Sequence, residues 1–231
     1  MTDKFTNILA IETTDKSGSV ALFKGGDVLF ERTLPTVQRS AQTLAPAIDE
    51  LLQESQLQPM EIGKVAVITG PGSFTGLRVG IVTAKMFAYA VGAEIIGLST
   101  FEVIAFGGLL SGITGEISIG VDAQRGDVVV QDWRIESGQC FCLSEIIMTP
   151  VNDWWQNSAK YGKNLTYAGP ALRHFSSKRP ATLKVADESL FDPRAIIAAK
   201  LAKNRPQNSN IWTIAPIYSR PVAADEKLSK M

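Results

Sequence analysis

The sequence predicts an α/β protein built from two similar lobes with a cleft between them. At residues 64–92 an apolar run is broken by a Gly-Pro-Gly turn at 70–72 and followed by a long stretch without proline, the pattern of a buried strand, a tight turn and a long helix. A three-strand pattern at the start of the chain also recurs from residue 115, and the first strand of each copy ends on an acid, Glu12 or Asp122. Since strands alternate with helices in both halves, each half is expected to form a sheet flanked by helices.

The opening elements follow from their local patterns. Residues 7–13 form a short apolar strand, and the alternating residues at 19–24 and 27–32 extend it into an antiparallel meander. Residues 40–56 then form an amphipathic helix, because their apolar side chains recur with helical spacing. The apolar face of this helix carries Ala41, Leu44, Ala47, Ile48, Leu51 and Leu52.

The helix that follows the Gly-Pro-Gly turn has no polar face. With a rotation of about 100° per residue, the face expected to lie on the sheet carries Gly76, Val79, Gly80, Thr83, Met86, Phe87 and Ala90. The opposite face carries Phe74, Leu77, Ile81, Ala88 and Tyr89, with only Arg78 and Lys85 for charge. A helix that is apolar all round is either central in its own domain or covered by another protein, and we favour a covering partner.

Composition excludes several classes of function. Of the 231 residues 45% are hydrophobic, and the 23 basic residues balance the 23 acidic ones, so no net charge attracts nucleic acid or an anionic membrane. The first apolar run is too short for a signal peptide, and charges and polar residues interrupt every window long enough to span a membrane. Cys140 and Cys142 lie two residues apart in a predicted strand, so both side chains lie on one face. This is not the cysteine pattern of a disulfide-stabilised protein. We therefore expect a reduced, cytoplasmic protein without a membrane segment.

Two carboxylates are candidates for a binding site. Glu12 and Asp122 end corresponding strands, so across a cleft they could hold a magnesium-bound nucleotide. The simpler interpretation, which we favour, is that each carboxylate caps the turn that follows its strand.

The glycine-rich turn at 70–76 does not match a phosphate-binding loop. Its spacing fits neither G-x-G-x-x-G nor the P-loop pattern, and no lysine follows the last glycine. We expect the glycines to allow the turn and the close approach of the helix to the sheet, with Ser73 as the N-cap. A zinc site, an iron site or a Ser-His-Asp triad is not expected, because His174 is the only histidine.

With these motifs in order, the sequence resembles the TsaB (YeaZ) family, bacterial paralogues of the threonylcarbamoyltransferase TsaD within the actin, Hsp70 and sugar-kinase superfamily. The resemblance is carried by ILAIETT followed by SVALF, by GPGSFTGLRVGIVTAK, by GLSTFEVIA, by IGVDAQRGDVVVQDW and by PIYSRP. It covers almost the whole chain and implies two ribonuclease-H-like lobes. Residues 1–103 plus 213–231 would form the first lobe, with the partner-binding helices, and residues 104–212 would form a second, smaller lobe.

The resemblance also implies a function. Members of the family take part in the N6-threonylcarbamoyl modification of adenosine 37 in tRNAs that read codons beginning with A. A TsaB-like chain would be a non-catalytic subunit that binds and supports TsaD, with the ATPase TsaE joining a ternary complex and tRNA contacted only indirectly. Alone it would form a homodimer through the same surface. No cofactor of its own is implied, apart from an ATP or ADP with magnesium that could lie at the partner interface.

The family pairs with TsaD through its first two helices, so the resemblance assigns the interface to residues of those helices. They are Leu44, Ile48, Leu51, Phe74, Leu77, Arg78, Ile81, Lys85 and Tyr89. Glu12, Thr13 and Asp122 would mark a vestigial nucleotide cleft, with no catalytic residue and no metal. Many family members have a histidine where this chain has Ser40. The alternative is an active nucleotide-binding phosphotransferase of the same superfamily, which would need a second glycine-rich loop, for which residues 168–171 are a poor candidate.

Overall fold

The structure, a computed structural model, describes residues 6–15, 17–25, 28–35, 40–162, 164–205 and 210–220. The elements of the first half are β1 Ile8–Glu12, β2 Ser19–Lys24, β3 Val28–Thr33, α1 Ser40–Glu54, β4 Lys64–Gly70, α2 Phe74–Val91, β5 Glu94–Ser99 and α3 Thr100–Leu110. Those of the second half are β6 Gly115–Asp122, β7 Asp127–Glu136, β8 Gln139–Cys142, β9 Ile147–Pro150, α4 Val151–Trp154, α5 Ser158–Tyr161, β10 Thr166–Ala168, α6 Ala171–His174, β11 Lys184–Val185 and α7 Ala195–Lys203. The side chain of Ser40, where relatives carry a histidine, lies outside the described residues.

The strands form two mixed sheets with the same topology. The first sheet has the order β3-β2-β1-β4-β5, and the second has the order β11-β10-β6-β7-β8, with β9 also paired to β7. In each sheet the first three strands are antiparallel, and the two later strands are parallel to the first. The repeated order confirms the predicted fold class, two ribonuclease-H-like lobes with mixed sheets flanked by helices.

The first sheet is buried on both faces because its central strands are apolar without alternation. One face packs against α1 and α2 around Leu9, Ile11 and Val67. The other face packs against α7 and part of α3 around Ala10 and Ile68. Continuous apolar strands of this kind are expected in a sheet that is covered by helices on both sides.

Helix α7 lies on the first sheet, although the predicted boundaries place residues 104–212 in the second lobe. Its buried face consists of Ala195, Ala198, Ala199 and Ala202, which pack in the same cluster as Ala10 and Ala66. Small side chains on both surfaces let the helix approach the sheet closely, so α7 packs tightly against the first sheet. The chain also returns further on, where the Ile217 N–H donates to the Thr69 carbonyl at 2.7 Å.

Helix α2 is the one helix in the described part of the chain that is long and apolar enough to cross a membrane. It contains the charges of Arg78 and Lys85, and a face that includes Leu77, Ala84 and Ala88 is buried. We interpret α2 as a helix of the first lobe and not as a membrane span, because that face packs against the first sheet.

Candidate functional site

Helix α2 is fixed at both ends by its own caps. The Ser73 side chain accepts a hydrogen bond from the Gly76 N–H at 3.3 Å, which confirms the predicted N-cap. At the other end Gly92 adopts the left-handed conformation with φ of 61° and closes the last turn. The caps set where the helix starts and stops, and therefore which residues its middle presents.

The first turn of α2 is pressed against the end of β1. A Cβ atom added at Gly76 would lie 1.8 Å from the Thr13 carbonyl oxygen, and one added at Gly80 would lie 2.2 Å from the Thr13 hydroxyl. The Thr13 hydroxyl donates to the Gly76 carbonyl at 2.8 Å. The glycines therefore serve close packing, as the sequence predicts, because the backbone and side chain of Thr13 occupy the space beside them.

The outward face of α2 is an apolar stripe. We define the α2 stripe as Phe74, Val82, Met86 and Tyr89, which are 45%, 59%, 63% and 69% exposed. Their spacing along the helix places them on one side. Isolated exposed apolar residues are common, but an ordered row along one helix is typical of a surface that another molecule covers.

The C-terminal segment adds aromatic residues to both ends of the α2 stripe. Trp212 is 71% exposed, and its ring centroid lies 6.4 Å from that of Tyr89. At the other end Tyr218 lies 4.9 Å from Phe74, and the Arg78 guanidinium lies 3.8 Å above the Phe74 ring. Arg78 Nε also donates to the Tyr218 hydroxyl at 3.1 Å. Aromatic residues, methionine and arginine are the side chains that protein interfaces favour.

Part of the predicted interface is wrong because its side chains are in the core. The buried members are Leu44, Ile48, Leu51, Leu77 and Ile81. The apolar face of α1 packs on the same side of the first sheet as α2, so all of these side chains except Leu77 fill the layer between the helices and the sheet. Leu77 is fully buried in the first turn of α2. Of the other predicted residues, Phe74, Arg78 and Tyr89 are exposed and Lys85 is half-buried.

The sequence prediction missed three exposed residues, Val82, Met86 and Trp212. Met86 was expected to face the sheet, whereas the structure turns it outward. The signal that identifies it is the spacing of four residues that links Phe74, Arg78, Val82 and Met86.

Glu12 ends β1 and is fully enclosed. Its Oε1 accepts hydrogen bonds from the N–H and the hydroxyl of Thr14, the second at 2.7 Å. Its Oε2 is buried without a partner among the described residues. Burial raises the pKa of Glu12 to about 8, against the lowering effect of the two Thr14 hydrogen bonds and with further increases from the carboxylates of Asp15 and Asp192. Burial therefore favours the protonated form of the Glu12 carboxyl group.

The geometry does not fit a magnesium-bound nucleotide at Glu12 and Asp122. Glu12 is enclosed and its Oε1 is already bonded to Thr14, and burial opposes the ionised form that magnesium binds. Asp122 accepts from the Gln124 N–H at 2.8 Å and lies 3.5 Å from His174 Nδ1. Both carboxylates thus accept bonds from the residue two positions further on, the arrangement expected for turn caps. Across the described ranges, no group of three or more His, Cys, Asp or Glu side chains could hold a metal ion.

Charged side chains link the two lobes. Arg173 makes a bidentate ion pair with Asp192, in which Nη1 and Nη2 each lie 2.8 Å from a carboxylate oxygen. Its Nη1 also lies 3.8 Å from Oδ2 of Asp15. Arg220 donates from Nε to the Ala123 carbonyl at 2.7 Å and pairs with Asp127. These contacts connect α6 to the first lobe through Asp15, and connect the C-terminal segment to the second lobe through Ala123 and Asp127.

We expect Glu12→Gln to remove a pH dependence of stability. The unfolded chain loses the Glu12 proton near pH 4.5, whereas the folded protein keeps it up to about pH 8. The stability that this group contributes is therefore complete below the lower value and is lost as the pH rises through the upper one. The wild-type free energy of unfolding should fall by on the order of 3 kcal/mol between about pH 5 and about pH 9 relative to Glu12→Gln.

Urea unfolding at acidic, neutral and alkaline pH measures this difference. Glu50→Gln is the matched control, since Glu50 is exposed and its carboxylate lies 3.0 Å from Arg32 Nη1. Parallel stability curves for the wild type and Glu12→Gln would show that Glu12 titrates normally.

Comparison with known proteins agrees with this fold. A family model described as TsaD, tRNA N6-adenosine threonylcarbamoyltransferase, matches residues 34–160. The tRNA threonylcarbamoyladenosine biosynthesis protein TsaB of Bacillus subtilis is 31% identical over 95% of this chain and 96% of that protein. The protein of the same name from Haemophilus influenzae is 30% identical over 96% of each chain.

Solved structures show the same architecture. YeaZ from Pseudomonas aeruginosa superposes with a TM-score of 0.75 at 19% identity, over 93% of this chain and 100% of that one. A second structure, of a protein with similarity to peptidase YEAZ from Pseudomonas aeruginosa, gives a TM-score of 0.78 at 21% identity, over 94% and 100% of the two chains. At these identities the structures establish the fold alone, and the sequence relatives establish the family. The chain belongs to the TsaB family of tRNA threonylcarbamoyladenosine biosynthesis proteins.

Proposed function

We propose that this chain is a non-catalytic subunit for threonylcarbamoyl modification of adenosine 37 in tRNAs that read codons beginning with A, and that it acts by binding TsaD in the cytoplasm. The observation that carries the proposal is the α2 stripe with its flanking aromatic residues. The names of the relatives place them in threonylcarbamoyladenosine biosynthesis and do not state which surface they use.

The α2 stripe has the chemistry of a stable protein interface. Covering each large apolar side chain contributes about 1.5–3 kcal/mol before the costs of association. Its four members and Trp212 together offer five exposed apolar side chains for a partner to cover. Arg78 at one end adds a charged donor whose position is already fixed by Phe74 and Tyr218, so little side-chain entropy is lost on binding.

The contacts of Glu12 and Asp122 support a role without chemistry of its own. Glu12 is enclosed and bonded to Thr14, and Asp122 is engaged by Gln124 and His174, so the carboxylates that an active phosphotransferase would use are committed to the fold. We propose that TsaD performs the transfer, that TsaE joins the pair, and that tRNA is contacted through TsaD. In the absence of TsaD we propose a homodimer through the same stripe.

The test is light scattering after size-exclusion chromatography, on this chain alone and mixed with TsaD from the same organism, followed by a modification assay on the fractions. We expect a one-to-one complex that restores an activity absent from either protein. Met86→Glu should weaken binding by about 100-fold or more, because it places a charge in the centre of the covered surface.

Met148→Glu is the matched control for Met86→Glu. Met148 is also exposed, but it lies on β9 in the second lobe, so the same substitution there should leave TsaD binding unchanged. Equal binding by both variants would remove the α2 stripe from the interface. Magnesium-dependent ATP turnover by the chain alone would favour the phosphotransferase alternative instead.

A further inference from the structure

Arg78 is exposed on the outward face of α2, and its side chain is held in one position. Its guanidinium lies 3.8 Å above the Phe74 ring, and its Nε donates to the Tyr218 hydroxyl at 3.1 Å. The ring centroids of Phe74 and Tyr218 are 4.9 Å apart, so the two rings and the guanidinium form one packed group. Part of the rotamer freedom of this long side chain is therefore lost before any partner binds.

The outer end of the Arg78 guanidinium has no partner within the described part of the chain. Nε makes the one hydrogen bond of this side chain there, and Arg78 takes part in none of the ion pairs. Nη1 and Nη2 together carry four N–H donors in one plane. A carboxylate has two acceptor oxygens and the opposite charge, so it fits this fork with two parallel hydrogen bonds.

The surface around Arg78 is positively charged. Neither α2 nor the segment 210–220 contains an acidic residue. Lys85 lies seven residues further along the same face of α2, about 10 Å away at the helical rise, and it also takes part in none of the ion pairs between described residues. A partner that covers this face must therefore bring its own negative charge, or the two cations are covered without one.

The carboxylates of the neighbouring helix α1 are already engaged. Glu50 and Glu54 each lie 3.0 Å from the guanidinium of Arg32. Asp49 accepts a hydrogen bond from Gln53 Nε2 at 2.7 Å. A second copy of this chain brings the same two helices, so it has no uncommitted carboxylate to offer among the described residues of those helices.

We propose that Arg78 is a specificity-determining residue of this face: Nη1 and Nη2 bind a side-chain carboxylate of TsaD, and the face thereby prefers TsaD to a second copy of this chain. The proposal rests on the proposed function, since it takes TsaD to be the partner that covers the α2 stripe. In a symmetric homodimer through the stripe, the cations of both copies come together and oppose association. A carboxylate on TsaD neutralises Arg78 instead, and the rings of Phe74 and Tyr218 shield the pair from water.

The test compares two associations of the same chain, with TsaD and with itself. Arg78→Met keeps a long side chain and removes its charge and its donors. We expect Arg78→Met to weaken TsaD binding by about 30-fold or more, because the carboxylate of TsaD is then covered without a partner. The homodimer should be as tight as that of the wild type or tighter. Isothermal titration calorimetry gives the first affinity, and sedimentation equilibrium gives the second.

Two further variants separate the charge from the planar fork. Arg78→Lys keeps the charge without the fork, so it should retain only part of the affinity for TsaD. Arg134→Met is the matched control, since the Arg134 side chain is 43% exposed on β7 of the second lobe and pairs with Glu116 at 3.1 Å. It should bind TsaD as the wild type does. Raising the NaCl concentration from about 50 to about 500 mM should weaken TsaD binding more for the wild type than for Arg78→Met.

A charge swap identifies the carboxylate on TsaD. Arg78→Glu should abolish TsaD binding while the chain stays folded by circular dichroism, because the side chain is exposed. Acidic surface residues of TsaD are then replaced by arginine one at a time. One of these variants should bind Arg78→Glu at least about tenfold more tightly than unmodified TsaD does. No recovery in any of them would overturn the assignment of a carboxylate.

Three other results overturn the proposal. Equal TsaD affinities of the wild type and Arg78→Met, with Met86→Glu still weakening the complex, would leave TsaD on the α2 stripe and remove Arg78 from the contact. Equal weakening of both associations in Arg78→Met would mean that Arg78 acts by holding Tyr218 in place. A difference between wild type and Arg78→Met that needs added ATP would assign the guanidinium to a phosphate. Absence of any complex between the wild type and TsaD would instead overturn the proposed function, and this proposal with it.

Discussion

Ile81→Glu is expected to unfold the first lobe, whereas Val82→Glu, one residue further along the same helix, is expected to leave it folded. Ile81 is 4% exposed and packs in the core between the first sheet and α1, and Val82 is 59% exposed on the α2 stripe. Burying an ionised carboxylate without a partner costs more than about 4 kcal/mol, a large part of the stability of one domain. The carboxylate of Val82→Glu stays in water and carries almost no such cost.

Circular dichroism and urea unfolding of both variants measure this difference. The two variants carry the same new side chain at adjacent positions, so helix propensity cannot separate them. A folded Ile81→Glu protein with normal stability would mean that the buried face of α2 is not the one described. The pair also tests binding, since the Val82→Glu variant should remain folded and yet no longer bind TsaD.

Gly76→Ala is expected to destabilise the protein by more than about 4 kcal/mol, although it adds a single methyl group. The added Cβ would lie 1.8 Å from the Thr13 carbonyl oxygen, a backbone atom that cannot rotate away. Relief requires α2 to move off β1, which breaks the hydrogen bond from the Thr13 hydroxyl to the Gly76 carbonyl and opens the core beneath the helix.

Gly138→Ala is the control for this substitution. Gly138 has φ of 75° in the turn between β7 and β8, with nothing within 4 Å of an added Cβ. Its replacement should cost only about 1 kcal/mol, through the left-handed backbone conformation. Thermal unfolding of the two variants separates the clash from the general cost of replacing a glycine, and equal losses would contradict the close contact at Gly76.

The fold could be predicted because its signals are local and occur twice. Short apolar strands ending on Glu12 and Asp122, each followed by a polar turn and an alternating strand, identify the two sheets. The Gly-Pro-Gly turn and Ser73 locate the start of α2, and the structure confirms both. Such signals depend on neighbours within a few residues, which a sequence shows directly.

The orientation of α2 could not be predicted in the same way. When a helix is apolar on all sides, the spacing of its apolar residues does not show which face packs on the sheet. Ile81 and Met86 were therefore assigned to the wrong faces. The rotation of α2 about its own axis is set by the contacts of Gly76 and Gly80 with Thr13, which lies far away in the sequence.

The flanking aromatic residues were missed for a related reason. Tyr218 contacts Arg78 across 140 residues of sequence, and nothing in the local pattern of residues 210–220 shows where that segment returns. The position of α7 was missed likewise, because its alanine-rich face suits either sheet by composition.

The return of α7 to the first sheet has a consequence for synthesis on the ribosome. The strands of the first sheet are complete once residue 99 has emerged, but the face around Ala10 and Ile68 has no helix α7 to cover it until residues 195–203 follow. The strands of the second sheet, all between residues 115 and 185, emerge in that interval. The lobe that begins the nascent chain is therefore the last to be completed, and its uncovered apolar face is exposed while the other lobe forms.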